Sequence, residues 1–239
     1  MPKLLYHDGY MYLGNAKSGT TSVEKQFKNI KDKDSFEIPN QDDFSKEYFA
    51  SIESHCSDLK PFTLFFHIRE PWDRFLSAVA TDIRRHPMYN KEKNKHKFIL
   101  KRCKEIKEAY KDIKNNDPDS IELSGIKPNF PGLFESVYKS ILLTMIPLSK
   151  RIKKIEIWNH AHLNESIEKN WRSKLLYREN KTKENIKDII TKCFESDLAF
   201  KWAWREKNRK DYELYELIYN RPVYAIDCKE YIKRFYEKL

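Results

Sequence analysis

Two short stretches of the chain carry side chains whose types and spacing could do chemistry together. The first is Gly14-Asn15-Ala16-Lys17-Ser18-Gly19-Thr20-Thr21-Ser22. The apolar arm Tyr10 to Leu13 runs into it, and Val23, Phe27 and Ile30 follow at helical spacing. A strand that opens through glycine and hydroxyl residues into a helix N-terminus makes a cradle for phosphate. The first helical N–H groups lack intrahelical acceptors and the macrodipole is positive there. Lys17 adds a full charge, Thr20, Thr21 and Ser22 offer hydroxyl donors, and Gly19 permits close approach of the backbone to a ligand. By itself such a loop also fits a plain strand-to-helix turn carrying a surface lysine.

The second stretch is Arg69-Glu70-Pro71-Trp72-Asp73-Arg74-Phe75-Leu76-Ser77, which follows the nearly continuous apolar run Phe62 to Ile68. A strand buried on both faces reads in that way. It delivers Arg69 to its C-terminal end, where open α/β sheets bind ligands. Pro71 and Asp73 start the next helix. An arginine and, eight residues later, Ser77 suit a phosphate monoester if they converge.

The elements needed to position these residues can be read around them. Asp8-Gly9 between two apolar arms predicts a hairpin. Further strands are expected at Ser35–Pro39, Phe62–Ile68 and Lys154–Trp158. Helices are expected over Phe49–Leu59, Trp72–Arg85, Asn90–Asn115 and Leu133–Met145, and the chain beyond Leu163 reads as helices around a polar loop at 177–182. Ile99, Cys103, Ile106, Tyr110 and Ile113 form one apolar stripe along a lysine-rich helix, as in ordinary core packing. Strands alternating with helices predict an α/β fold with a parallel sheet.

Composition bounds the rest. Of 239 residues, 40% are hydrophobic and 34% charged, as in globular proteins, and no apolar run approaches the ~18 residues of a membrane span. A formal charge of +10 favours an anionic partner. Cys56, Cys103, Cys193 and Cys228 form no C-x-x-C pair, which fits a reduced, cytoplasmic chain without a zinc ribbon.

Taken together, the two stretches resemble those of sulfotransferases that use 3′-phosphoadenosine 5′-phosphosulfate (PAPS). Lys17-Ser18-Gly19-Thr20-Thr21 is similar to their 5′-phosphosulfate loop, P-K-[ST]-G-[ST]-T, with Ala16 in place of the usual proline. Arg69 to Ser77 is similar to their 3′-phosphate segment, R-[ND]-P-x-[DE]-R-x-x-S. The N-terminal hairpin, and Asp211-Tyr212-Glu213-Leu214-Tyr215 near the C-terminus, resemble the carbohydrate-type branch. The resemblance is strong over residues 3–30 and 60–80, weaker over 145–220 and absent over 86–132.

It implies a three-layer sandwich with a central parallel sheet, the P-loop NTPase-like sulfotransferase fold, as one domain over 1–239. The segment around 86–132 would be an insertion that shapes the acceptor site. The implied reaction moves a sulfuryl group in line from PAPS to a hydroxyl or amine and releases adenosine 3′,5′-bisphosphate, with no metal. Lys17, Ser18, Gly19, Thr20, Thr21 and Ser22 would hold the 5′-phosphate, and Arg69 and Ser77 the 3′-phosphate. Arg178 and Thr182 are further candidates, from a loop that related carbohydrate enzymes place over the nucleotide; a solvated charged turn explains them equally.

An acceptor hydroxyl must lose a proton, so a general base is expected. His55 is the first candidate and Glu37 the second. His67, inside a buried strand, reads as a core histidine. His160 and His162 lack the neighbours of a metal site. The acceptor that the resemblance implies is a small molecule or a carbohydrate, and the lysines of 86–132 would favour an acidic one. A P-loop kinase of a small metabolite is the nearest rival. Gly14 and Gly19 have the right separation, but Thr20 stands where a Walker lysine belongs. A nucleic-acid-binding module would use the charge and the lysine-rich helix, yet no RNA-binding sheet motif, zinc finger or helix-turn-helix signature accompanies them.

Overall fold

The computed structural model describes residues 3–14, 17–30, 35–38, 46–115, 136–174 and 184–235. Six strands form one sheet: β1 (Lys3–His7), β2 (Tyr10–Gly14), β3 (Phe36–Ile38), β4 (Phe62–Ile68), β5 (Ile152–Asn159) and β6 (Val223–Asp227). The helices among the described residues are α1 (Thr20–Phe27), α2 (Lys46–Cys56), α3 (Pro71–Arg85), α4 (Lys95–Asn115), α5 (Val137–Leu148), α6 (Leu163–Trp171), α7 (Glu184–Glu195), α8 (Leu198–Lys207), α9 (Arg209–Glu216) and α10 (Cys228–Phe235). None of them is long and apolar enough to cross a membrane. The chain divides into two compact units, Met1–Pro71 with Glu135–Asn180 and Lys210–Leu239, and Trp72–Phe134 with Lys181–Arg209.

The sheet belongs to the first unit and has the order β3-β1-β2-β4-β5-β6. The Asp-Gly signal is realised as a tight hairpin. Asp8 (φ 47°) and Gly9 (φ 77°) both take the left-handed region, as a type I′ turn requires. Strands β2, β4 and β5 run parallel, and β3, β1 and β6 add antiparallel. The parallel centre is therefore three strands wide. β6 replaces an expected helical stretch. It is five residues long, follows Arg221-Pro222 and buries only Ile226, so it shows little of the apolar alternation that marks a strand.

Alternation along the strands sorts the side chains onto two faces. Leu4, Met11, Leu13, Leu64, Phe66, Ile155 and Ile157 pack with Ile52 of α2, Met145 of α5 and Tyr231 of α10. Leu5, Tyr12, Phe65 and Trp158 pack with Val23 and Phe27 of α1 and Ile167 and Trp171 of α6. Helices thus cover both faces, and every residue of β4 is buried. The D-x-x-L-Y segment is part of this packing. The buried Asp211 carboxylate accepts hydrogen bonds from the Ser136 hydroxyl (2.9 Å) and from the Val137 (3.1 Å) and Tyr138 (2.9 Å) N–H groups. It caps α5 across the sequence, while Leu214 enters the core. That cap fixes the start of α5 at Val137; the expected start at Leu133 lies outside the described residues.

The second unit is helical. Trp72 and Phe75 of α3 stack with Phe194, Phe200 and Trp204 at ring separations of 5.1–6.4 Å. Trp72 is therefore a core residue, as is Tyr89, which packs against Phe98. The long basic helix starts at Lys95, five residues later than its composition suggests. The Asn94 side chain accepts from the Lys97 N–H at 3.0 Å and ends the preceding turns. The predicted stripe of Ile99, Cys103 and Ile106 is buried.

Candidate functional site

The loop after β2 has an alternating backbone. Lys17 lies at φ 63° and Gly19 at φ 87°, while Ser18 between them keeps a negative φ. Residues that alternate in hand turn successive N–H groups toward one point, a concavity suited to an anion. Gly19 is also the N-cap of α1. Its carbonyl accepts from Ser22 (3.0 Å) and Val23 (3.2 Å), no side chain caps the helix, and no acid stands in its first turn. The positive end of α1 is thus left for a ligand. Ser18 is fully buried, and its hydroxyl has no hydrogen-bond partner among the described residues. Ser22 is buried, Thr21 is exposed, and Lys17 and Thr20 are in between. Burial pushes the Tyr12 phenol up, and the Thr20 hydroxyl facing it works against that.

Three strand ends meet here. In the parallel register Leu13 lies beside Phe66, and Phe66 beside Ile157, so β2, β4 and β5 finish at one edge of the sheet. The loop leaves β2, Arg69 follows β4, and His160 follows β5. A Cβ placed on Gly19 would lie 3.1 Å from His160 Cε1, so the imidazole lies directly against the loop. Burial, and then the nearby Arg69 charge, hold His160 below the usual imidazole value; a hydrogen bond with the Ser18 backbone pulls the other way. Lys17 to Gly19, Arg69 and His160 therefore share one site at the C-terminal edge of the parallel strands. The sequence offers a signal for His160, its position just after a buried strand, which a reading of it as a metal ligand alone misses.

His67 lies behind this edge, fully buried. Its Nε2 bonds the Ser166 hydroxyl, which itself donates to the Leu163 carbonyl at 2.8 Å. Ser166 must then accept from His67, so the Nε2–H tautomer is assigned by the network. Burial, and then the neighbouring His160, keep His67 far below its ordinary value and hence neutral. It is a core histidine, as its strand position suggested.

Ser77 lies in α3 of the second unit, and Arg178 and Thr182 lie outside the described residues. His55 is exposed in the last turn of α2. Just beyond it, Arg151 donates to the carbonyls of Ser57 and of Leu59 (3.0 Å), and the Arg151 carbonyl accepts from Phe62 (3.0 Å). This junction marks the start of β4 and β5. At ~3.3 Å per residue, the seven residues of β4 put it roughly 20 Å from Arg69. His55 is not brought to the loop. Glu37 sits in edge strand β3 opposite Leu5, which pairs with Tyr12. It shares the face of the sheet that α1 covers, two strands or about 10 Å from Tyr12.

Among the described residues no group of three or more His, Cys, Asp or Glu side chains could hold a metal ion. Compared with protein-family models, with curated proteins and with solved structures, the chain matches none.

Proposed function

We propose that this chain is a PAPS-dependent sulfotransferase of a P-loop-like α/β fold, acting on a small-molecule or carbohydrate hydroxyl or amine in the cytoplasm. The observation that carries the reading is the shared sheet edge. An alternating Lys17-Ser18-Gly19 backbone, an uncapped α1 and Arg69 stand together there. The orphaned, buried Ser18 hydroxyl fits a phosphate oxygen. The motif resemblance makes the anion the phosphosulfate end of PAPS, and Arg69 the contact that distinguishes a 3′-phosphorylated donor from ATP.

In this reaction the acceptor oxygen or nitrogen bonds to sulfur while the bond from sulfur to the 5′-phosphate oxygen breaks. Negative charge grows on that phosphate. In this reading Lys17 and the N–H groups of Gly19, Thr20 and Thr21 meet that growing charge and stabilise the transition state. The acceptor proton leaves to a base. Glu37 is the candidate base on the face of the sheet that α1 covers.

Calorimetric titration with adenosine 3′,5′-bisphosphate and, separately, with ATP plus Mg²⁺ tests the reading. Metal-independent binding of the bisphosphate, with little for ATP, is expected. Preference for ATP–Mg²⁺ would replace it with a kinase, and binding of neither would overturn the nucleotide site.

A further inference from the structure

Far from the loop in sequence, α4 and α7 of the second unit bring two cysteines together. Cys103 is fully buried on α4, and Cys193, on α7, is partly exposed. The two helices pack against each other, and the Cys103 thiol lies within interacting reach of the Cys193 thiol. One turn along α4 from Cys103, Lys107 donates to the Cys193 carbonyl at 2.8 Å and to the Asp197 carboxylate at 3.0 Å. Its ammonium also lies 5.3 Å from the centre of the Phe194 ring. Lys107 thus ties the two helices together beside the pair, in which Cys193 is partly exposed and Cys103 is buried.

We propose that Cys103 and Cys193 form a peroxide-reactive dithiol site, in which Cys193 reacts first and Cys103 closes a disulfide joining α4 to α7. A nucleophilic cysteine needs access and thiolate character. Cys193 has both. The interaction with Cys103 holds it well below the ordinary thiol value, and the Lys107 charge adds to that, against its partial burial and the Asp197 carboxylate. Cys103 is pushed up by the interaction with Cys193 and by burial, so it does not meet peroxide itself; its nearness to Cys193, not its acidity, is what lets it close the disulfide. Burial pushes Cys56 and Cys228 up to about 11, which leaves them inert.

The steps balance. The Cys193 thiolate attacks one oxygen of hydrogen peroxide, the O–O bond breaks, and hydroxide leaves, giving the sulfenic acid. The Cys103 sulfur then attacks the Cys193 sulfur. The S–S bond forms, the S–O bond breaks, and the oxygen leaves as water with the Cys103 proton. The two thiols lose two electrons, and the peroxide gains them. Such pairs serve as redox-sensing sites in otherwise reduced compartments.

The test is peptide mapping of the full chain after treatment with hydrogen peroxide. A Cys103–Cys193 cross-link is expected, before Cys56 or Cys228 changes and reversible with dithiothreitol. In Cys103→Ser the sulfenic acid on Cys193 should persist and be trapped by dimedone. Iodoacetamide should alkylate Cys193 at least about ten-fold faster than Cys56. A different cross-link, or reaction of Cys56 or Cys228 while Cys193 stays a thiol, would overturn the proposal. The wild-type map decides this even if the serine variant does not fold.

Discussion

His160 stands against the one position of the loop that has no side chain: a Cβ on Gly19 would sit 3.1 Å from its Cε1 and 2.8 Å from Leu163 Cδ2. The residues that follow β5 therefore shape the loop that follows β2. Gly19→Ala meets two obstacles, a left-handed φ of 87° and this contact. The backbone penalty alone is about 1–2 kcal/mol. We expect lowered stability and at least a ~10-fold loss of bisphosphate affinity. Adding Leu163→Ala should restore part of both, because it removes the closer contact. Unchanged affinity in Gly19→Ala would show that the loop does not hold the ligand.

Lys17 combines charge with a conformation that costs a non-glycine residue energy. Lys17→Gly removes the charge and relieves the backbone. Its melting temperature should stay within the equivalent of about 1 kcal/mol of wild type. Sulfuryl transfer should fall by ~10²–10³-fold, as for loss of a transition-state contact. A stable variant with normal turnover would remove Lys17 from the reaction.

Arg69 has a proposed ligand, the 3′-phosphate, and a neighbour, His160. Arg69→Ala should weaken adenosine 3′,5′-bisphosphate by ~10–100-fold, the scale of a charge-assisted hydrogen bond, and leave adenosine 5′-phosphosulfate nearly unaffected. Burial is the larger cause of the low His160 value and Arg69 the second. Removing Arg69 should therefore also raise the His160 pKa in an NMR titration. Equal losses for the two nucleotides would count against a 3′-phosphate contact.

Glu156 supplies the pH test. This buried β5 carboxylate accepts from Lys154 (2.9 Å), Lys169 (3.1 Å) and the Trp158 indole (3.1 Å). Burial would raise its pKa, but the two lysines outweigh that and hold it below the model-compound value of 4.5. The stabilisation it provides is full above that value and is lost as pH falls through the lower folded one. Both lysines are about half exposed, which screens the pairing. Glu156→Gln should cost about 1–2 kcal/mol at neutral pH. Urea unfolding should show the gap from wild type closing as pH falls below 4.5 and through the lower folded value. A gap constant with pH would mean that the cost is packing alone.

Much of this was legible in the sequence. Strand β4 declared itself through five apolar or aromatic residues in seven positions, and the hairpin through Asp8-Gly9. The loop was legible because glycine is rare in this chain and its placement therefore informative. What was not legible depends on distant pairing. β6 owes its existence to the edge of β5. The start of α5 depends on Asp211, more than seventy residues away. The resemblance makes His55 a candidate because it precedes the strand that leads to Arg69, but the run of β4 separates the two. His160 gained its place from the parallel register, which no local pattern encodes.

The position of β6 has a consequence for how the protein is made. β5 pairs with β4 on one side and with β6 on the other, and β6 is the last of the strands to be synthesised. While the nascent chain ends short of Val223, β5 presents an open row of backbone donors and acceptors beside Ile155, Ile157 and Trp158. Such an edge is a template for pairing with another chain. The interval before β6 emerges from the ribosome is therefore when this chain is most exposed to aggregation, and when a chaperone would matter most.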